Sequence, residues 1–486
     1  MSSLSSLSVY STCVVIVGGG VGGLAAGVAL RQGGIECMIF ERDENLDARS
    51  HGYGMTLSSD ERGPLGALGI LEECRAADCL SREHWTFDGN GFVRGYFGRG
   101  LLRGKKDSSA SERGGSLRVK RQELRRFLLE RYEELGGTIL WNAPLETIEV
   151  DAHLGATAAQ EGDEAVLCAT FNNGRVVARG VALVGADGLR SRVRALVDDK
   201  DDDLRSLGVG AIVGLSTFRH PLVEGRGFYV VDGEARLFTM PFDADQTMWQ
   251  LSFPTKGDAD LSLDKKEPAR ALKRARTQVG AWKDSIRLLT LGLIDETPPE
   301  DLWASKLFDR YDKAEKSLFS RRPPPFAGRV TLLGDAAHPM TCFKGQGANS
   351  ALADAKTLAT CLKHLNKANT SASSRQQRAR KKQSSSSSSS SSSSIIAKRL
   401  RAFEREMLQR ANPRVLASRE AAATLHSPKA LETLTFDGFD GDPFDLANLL
   451  RERKVDASLT PDELLAALKA AVASLSDSSH PRKKTI

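Results

Sequence analysis

The chain is poor in the residues that announce a metal centre or a disulfide scaffold. Of 486 residues only eight are histidine and seven cysteine. Neither type recurs at a metal-ligand spacing, and no Ser/His/Asp set stands out. An odd number of scattered cysteines points to reduced thiols and an intracellular, cytoplasmic setting. Cys74 and Cys79 have the C-x4-C spacing of some redox pairs. However, "LGALGILEECRAADCL" reads as a helix, where side chains five residues apart point about 140° from each other. The two are expected to remain unbridged. Aromatics make up 6% of the chain and do not interleave with its basic clusters. The net charge of +6 comes from 68 basic and 62 acidic residues, so no nucleic-acid-binding stripe is indicated. Long apolar runs are also lacking. The stretch from Cys13 to Leu30 carries no charge, but six of its residues are glycine, which suits a strand, a turn and a helix better than a transmembrane segment.

What is present begins at that stretch. Val14 to Val17 is a run of β-branched residues, as expected of a strand buried on both faces. Gly18, Gly20 and Gly23 follow as G-x-G-x-x-G. The first permits a tight turn, the second lets a pyrophosphate approach the backbone, and the third lets helix and strand pack closely. A helix N-terminus would supply free N–H groups to the phosphates. A second strand, Cys37 to Phe40, ends at Glu41, with Arg42 beside it, where a ribose-binding carboxylate is expected. Strand, glycines, helix, strand and acid in this order predict a dinucleotide site.

Two further segments repeat the theme of an apolar strand running into a glycine-aspartate turn. "VALVGADGLRSRVR" leads to Asp187 and Gly188. "LLGDAAHPMTCFKGQGANSALADA" leads to Asp335, then a loop with Pro339, Gly345 and Gly347, then a helix. Ahead of both, "RVKRQELRRFLLERYEELGG" predicts a helix with Leu124, Phe127, Leu128, Tyr132 and Leu135 on one face and Arg121 at its start.

In this order the three motifs resemble the class A flavin-dependent monooxygenases of the p-hydroxybenzoate hydroxylase type. The resemblance covers residues 13–362 and resumes weakly at Leu400 to Ala411. It implies an α/β fold: a Rossmann-like FAD-binding domain with an interleaved α+β substrate domain on a mostly antiparallel sheet. The corresponding boundaries are 12–200 for the first part of the FAD domain, with an excursion into the substrate domain near 80–105. The substrate domain spans 203–325, and the FAD domain resumes over 326–362 and 395–425. The resemblance also implies the chemistry: NAD(P)H reduces FAD, O2 adds to give a flavin hydroperoxide, and an aromatic or polycyclic substrate is hydroxylated. Asp335 is expected at the ribityl chain and Arg121 at FAD. Asp187 and Gly188 belong to a second nucleotide motif, where Asp187 also suits a turn-capping role. The Pro339–Gly347 loop is expected beside the isoalloxazine, with the Pro339 carbonyl near the reacting oxygen. His338 is a candidate for the reaction centre, though a loop-structuring role suits it better. Arg49 and His51 are expected near the flavin.

The substrate face is expected on one of two sets, Phe238, Met240 and Phe242 or Trp249, Leu251 and Phe253. Flavin halogenases of this fold carry W-x-W-x-I-P, and the tryptophans here, at 85, 141, 249, 282 and 303, are never two apart. Another flavin oxidoreductase of the fold, or a non-catalytic flavin-binding protein, is the alternative. Residues 365–394, ending in the serines 384–394, cannot bury enough apolar surface to fold and read as a disordered insertion. The 426–486 extension matches nothing, but contains a capping box at Thr460 and Glu463.

Overall fold

The computed structural model describes residues 7–49, 52–81, 83–98, 116–151, 166–198, 204–255, 267–311, 318, 326, 328–366 and 391–478. A five-stranded parallel sheet is assembled from distant parts of the chain. Its strands lie in the order Val330–Leu332, Ala182–Gly185, Val14–Val17, Cys37–Phe40 and Thr138–Leu140. The Val14–Val17 strand occupies the middle, and all four of its residues are buried, as the β-branched run requires. Val17 pairs with Gly185 and with Phe40, and Gly185 pairs with Leu332. The Gly18 turn, the two glycine-aspartate turns and Glu41 therefore leave the same edge of one sheet, from neighbouring strands. That carboxyl-end edge is where open parallel sheets bind ligands.

Helix Val21–Gln32 packs on this sheet, buried from Gly23 through Leu30. Helices Arg121–Glu134 and Gly347–Leu362 pack against it. Gly27 is required there, since a Cβ would lie 2.8 Å from the Tyr132 ring. The face predicted for Arg121–Glu134 differs in part. Leu124, Leu128 and Tyr132 are buried, Phe127 and Leu135 are half-buried, and Arg125 is buried with them. Helix Leu71–Ala76 ends before Cys79, so the two cysteines do not share a helix as expected. Both thiols are free, and Cys79 Sγ lies 2.8 Å from the Phe242 carbonyl.

An eight-stranded sheet runs in the order Leu302–Asp309, Arg205–Ser216, Thr247–Pro254, Arg236–Pro241, Gly227–Val231, Glu83–Asp88, Val93–Gly98 and Thr435–Phe436. Its pairings are antiparallel except Gly227–Val231 with Glu83–Asp88 and Thr435–Phe436 with Val93–Gly98. One face is closed by helices Pro268–Val279 and Asp284–Asp295 and by Pro443–Glu452 and Pro461–Ser478 from the C-terminal extension, which share one core. The extension thus packs on the body. Thr460 and Glu463 form the expected reciprocal cap, with the Thr460 N–H donating to Glu463 Oε2 at 2.8 Å.

Most of the proposed insertion lies outside the described residues, but its ends differ from expectation. Residues 365 and 366 remain helical, and helix Ser391–Leu425 begins inside the serine run. A serine-rich turn can extend a helix already anchored by the buried Ile396, Leu400 and Phe403.

Candidate active site

The glycine turn after Val17 is built for close approach. Gly18 has φ +109°, and a Cβ there would meet the Ala186 carbonyl at 2.6 Å. A Cβ on Gly23 would sit 1.8 Å from the Gly18 oxygen. Gly20 is the opposite case, because a Cβ there meets nothing within 4 Å. Two glycines thus hold strand and helix together while the third fronts open space at the N-terminus of Val21–Gln32. The Glu41 carboxylate is buried and accepts the Gly19 N–H and, at 3.0 Å, the Asp43 N–H. Arg42 is exposed beside it.

On the next strand, Asp187 accepts from Ser191 Oγ at 2.6 Å and from the N–H groups of Arg192 and Val193 at 2.6 and 3.1 Å. Burial raises its pKa, against the pull of these donors. Asp187 therefore performs the turn-capping role foreseen for it. Gly188, at φ +83°, also faces open space. The second and third motifs are tied by Arg194, whose buried guanidinium donates to the carbonyls of Ala336, Ala337 and Leu318 at 2.8–3.1 Å.

The third turn brings Asp335 to the N-terminus of Gly347–Leu362. A Cβ on Gly347 would lie 4.0 Å from Asp335 Oδ1, and no side chain caps that helix. Asp335, Tyr53 and Cys342 are each accessible to water, yet the protein around them raises the pKa of each by desolvation. Accessible groups with dense surroundings mark the walls of a cleft. Arg121 lies within electrostatic reach of Asp335 and of the Tyr53 phenol, and its N–H donates to the Tyr53 carbonyl. Gly345, at φ +60°, ends the turn. Asn349 Nδ2 bridges the carbonyls of Gly345 and Thr56 at 2.9 Å each, so the Gly54–Ser58 strand is pinned to this loop.

His338 is enclosed rather than presented to the cleft. Its Nε2 lies 2.6 Å from Asp354, which also accepts Arg410 Nη2 at 2.7 Å and the Gly334 N–H at 3.0 Å. Burial pulls the His338 pKa down, but Asp354 and Asp335 outweigh it and the net shift is upward. This geometry organises the loop. Pro339 is buried, and its carbonyl accepts the Arg310 N–H at 3.2 Å. His51 and the Arg49 side chain lie outside the described residues.

The loop faces the open side of the eight-stranded sheet. Gln250 Nε2 reaches Cys342 Sγ at 3.1 Å, Gly54 N–H reaches Met248 Sδ at 3.2 Å, and the rings of Tyr53 and Trp303 are 6.1 Å apart. Of the two candidate faces, Phe238, Met240 and Phe242 lie here with Met248 and Trp303. Trp249, Leu251 and Phe253 are fully buried in the opposite core, which decides between the two sets. The buried Arg236 stands on the same face, 5.2 Å from the ring centres of Tyr229, Phe238 and Phe343. Sequence reading passed over Tyr53, Arg125, Arg194, Arg236 and Asp354. Each gains its role from partners distant in the chain, so local pattern carried no signal.

The parallel sheet, the open glycine turns and the cleft at Asp335 define a dinucleotide-binding α/β protein whose second sheet faces that cleft. The donor set fits FAD: N–H groups and open glycines for a pyrophosphate, an acid for a ribose, and an accessible acid at a helix start. Comparison with known proteins agrees. The model of the FAD binding domain family matches residues 11–286 and 322–383, and the chain belongs to that family. It is 30% identical over 379 residues to the FAD-dependent monooxygenase thnD of Trichoderma harzianum, covering 73% of this chain and 84% of that one. It is 28% identical over 357 residues to the chloroplastic zeaxanthin epoxidase of Solanum lycopersicum, covering 71% of this chain but 47% of that longer one. Klebsiella pneumoniae HpxO, solved with FAD and uric acid, shares the fold at TM-score 0.63 and 21% identity, covering 95% of this chain and 97% of that one. The chain is an FAD-dependent monooxygenase of this family. Among the described residues no helix is long and apolar enough to cross a membrane.

Proposed function

We propose that the chain uses NAD(P)H and O2 to hydroxylate an aromatic or polycyclic ring. One oxygen atom enters the substrate, the other leaves as water, and NAD(P)H supplies the two electrons. The observation that carries this reading is the apposition of the Asp335 cleft to the apolar sheet face of Phe238, Met240, Met248 and Trp303. Bound FAD would supply electron transfer and oxygen activation. The chain's own residues would place and shield it. The turn shaped by Gly18 and Gly23 would present Gly20 to the pyrophosphate, Glu41 with Arg42 would take the adenosine ribose, and Asp187 with Gly188 the neighbouring turn. Asp335 and Arg121 take the ribityl side. Gly345 and Gly347 let backbone approach the ring, and the uncapped helix start favours negative charge developing on it. His338 fixes the loop that carries Pro339, and the apolar face excludes water from the substrate.

The test is NADPH oxidation with purified protein across a panel of aromatic and polycyclic compounds, with product mass measured. A gain of one oxygen supports the reading. Peroxide alone with every compound removes it and leaves a flavin oxidoreductase or a non-catalytic flavin protein.

A further inference from the structure

Arg125 is 1% exposed, on a helix whose surface is otherwise strongly charged. Its Nε and Nη2 both donate to the Gly19 carbonyl, at 3.3 and 3.1 Å, and Nη1 donates to the Leu46 carbonyl at 3.1 Å. The Gly19–Gly20 peptide is trans, since no described peptide is cis. In a trans peptide the C=O and N–H point in opposite directions. With the Gly19 carbonyl held inward by a buried guanidinium, the Gly20 N–H points to the outer side of the turn. The turn is open at this residue, since a Cβ on Gly20 finds no atom within 4 Å. The preceding N–H, that of Gly19, is occupied by Glu41, so the turn is held from both sides and cannot rotate freely.

We propose that Arg125 is a positioning residue of the pyrophosphate site, acting through the Gly19–Gly20 peptide. It does not touch the ligand. It fixes the peptide plane so that one N–H faces the phosphates. A cation on the carbonyl also polarises the peptide and strengthens that N–H as a donor. Its positive charge lies behind the turn, on the side that favours a bound dianion. The inference rests on the assignment of the Gly18–Gly23 turn to pyrophosphate.

A purely structural role is separable, because Gln122 makes the other tether to the Leu46–Arg49 segment. Its Nε2 donates to the Leu46 carbonyl at 2.7 Å and to Asp47 at 3.0 Å. The experiment is FAD titration of the apoprotein by fluorescence, with phosphorus NMR of the bound cofactor, for Arg125→Met, Arg125→Lys, Gln122→Ala and Gly20→Val. Arg125→Met is expected to weaken FAD about 10- to 100-fold, the range for losing a charge-assisted bond, and to shift the pyrophosphate resonances. Gln122→Ala should stay within about threefold, with resonances unmoved. Arg125→Lys, which keeps the charge but loses the fork, should fall between and carries the test if Arg125→Met does not fold. Wild-type affinity and resonances in the arginine variants, or an equal loss in Gln122→Ala, overturn the proposal. Unchanged FAD affinity in Gly20→Val would instead overturn the assignment of the turn itself.

Discussion

Replacing Asp354 by Asn perturbs the charge cluster behind the Pro339–Gly347 loop and allows a magnitude to be worked out. Asp354 is fully buried and accepts from His338, Arg410 and the Gly334 N–H. Removing one partner of a buried ion pair costs about 3–5 kcal/mol. Asparagine keeps the volume and one acceptor oxygen, so the lower end, about 3 kcal/mol, is expected. The loss also has a predicted pH dependence. Burial alone would raise the Asp354 pKa, but His338 and Arg410 hold it below the ordinary value. That contribution is complete above about pH 4 and disappears as pH falls through the depressed value. The His338 pKa is raised on balance. Its contribution is complete below about pH 6.5 and is lost as pH rises through the raised value. The deficit of Asp354→Asn is therefore largest from about pH 4 to 6.5 and shrinks at higher pH. Urea denaturation, followed by tryptophan fluorescence at about pH 6 and about pH 9, measures it. A deficit below about 1 kcal/mol at the lower pH, or one that grows toward the higher, would refute the reasoning.

Asp335→Ala should fold normally and lose most of its FAD, read from the absorbance of the purified protein. Gly20→Val and Gly23→Ala should fail differently. The first side chain enters open space, leaving a folded protein with weak FAD binding, while the second meets backbone at 1.8 Å and should prevent soluble expression. Trp249→Ala removes a fully buried ring and should cost about 3–5 kcal/mol in denaturation. Met240→Ala, on the face proposed to meet substrate, should instead change which compounds stimulate NADPH oxidation.

Much of this architecture was legible in the chain because its signals are local. Strand, glycine turn and acid recur three times, and the parallel register needs only those strands to be neighbours. The capping box at Thr460 was equally local. What the sequence left open, missed or misread has the opposite cause. Period alone could not decide which face of the Thr247–Pro254 strand turns inward, since both are apolar and only the covering helices settle it. Arg125 and Asp354 gave no local signal, because the partners that enclose them lie more than fifteen residues away. Cys79 was placed on a helix because the residues before it are good helix formers, yet Leu71–Ala76 stops short.

The account's central claim is that three turns from one sheet edge hold a single dinucleotide beneath the eight-stranded sheet. A crystal structure of the FAD-loaded protein tests it directly. The pyrophosphate should lie against Gly20, the ribityl chain against Asp335, and the ring between the Gly345 turn and the face carrying Met240 and Trp303. FAD bound elsewhere, or with its ring turned away from that face, would contradict it.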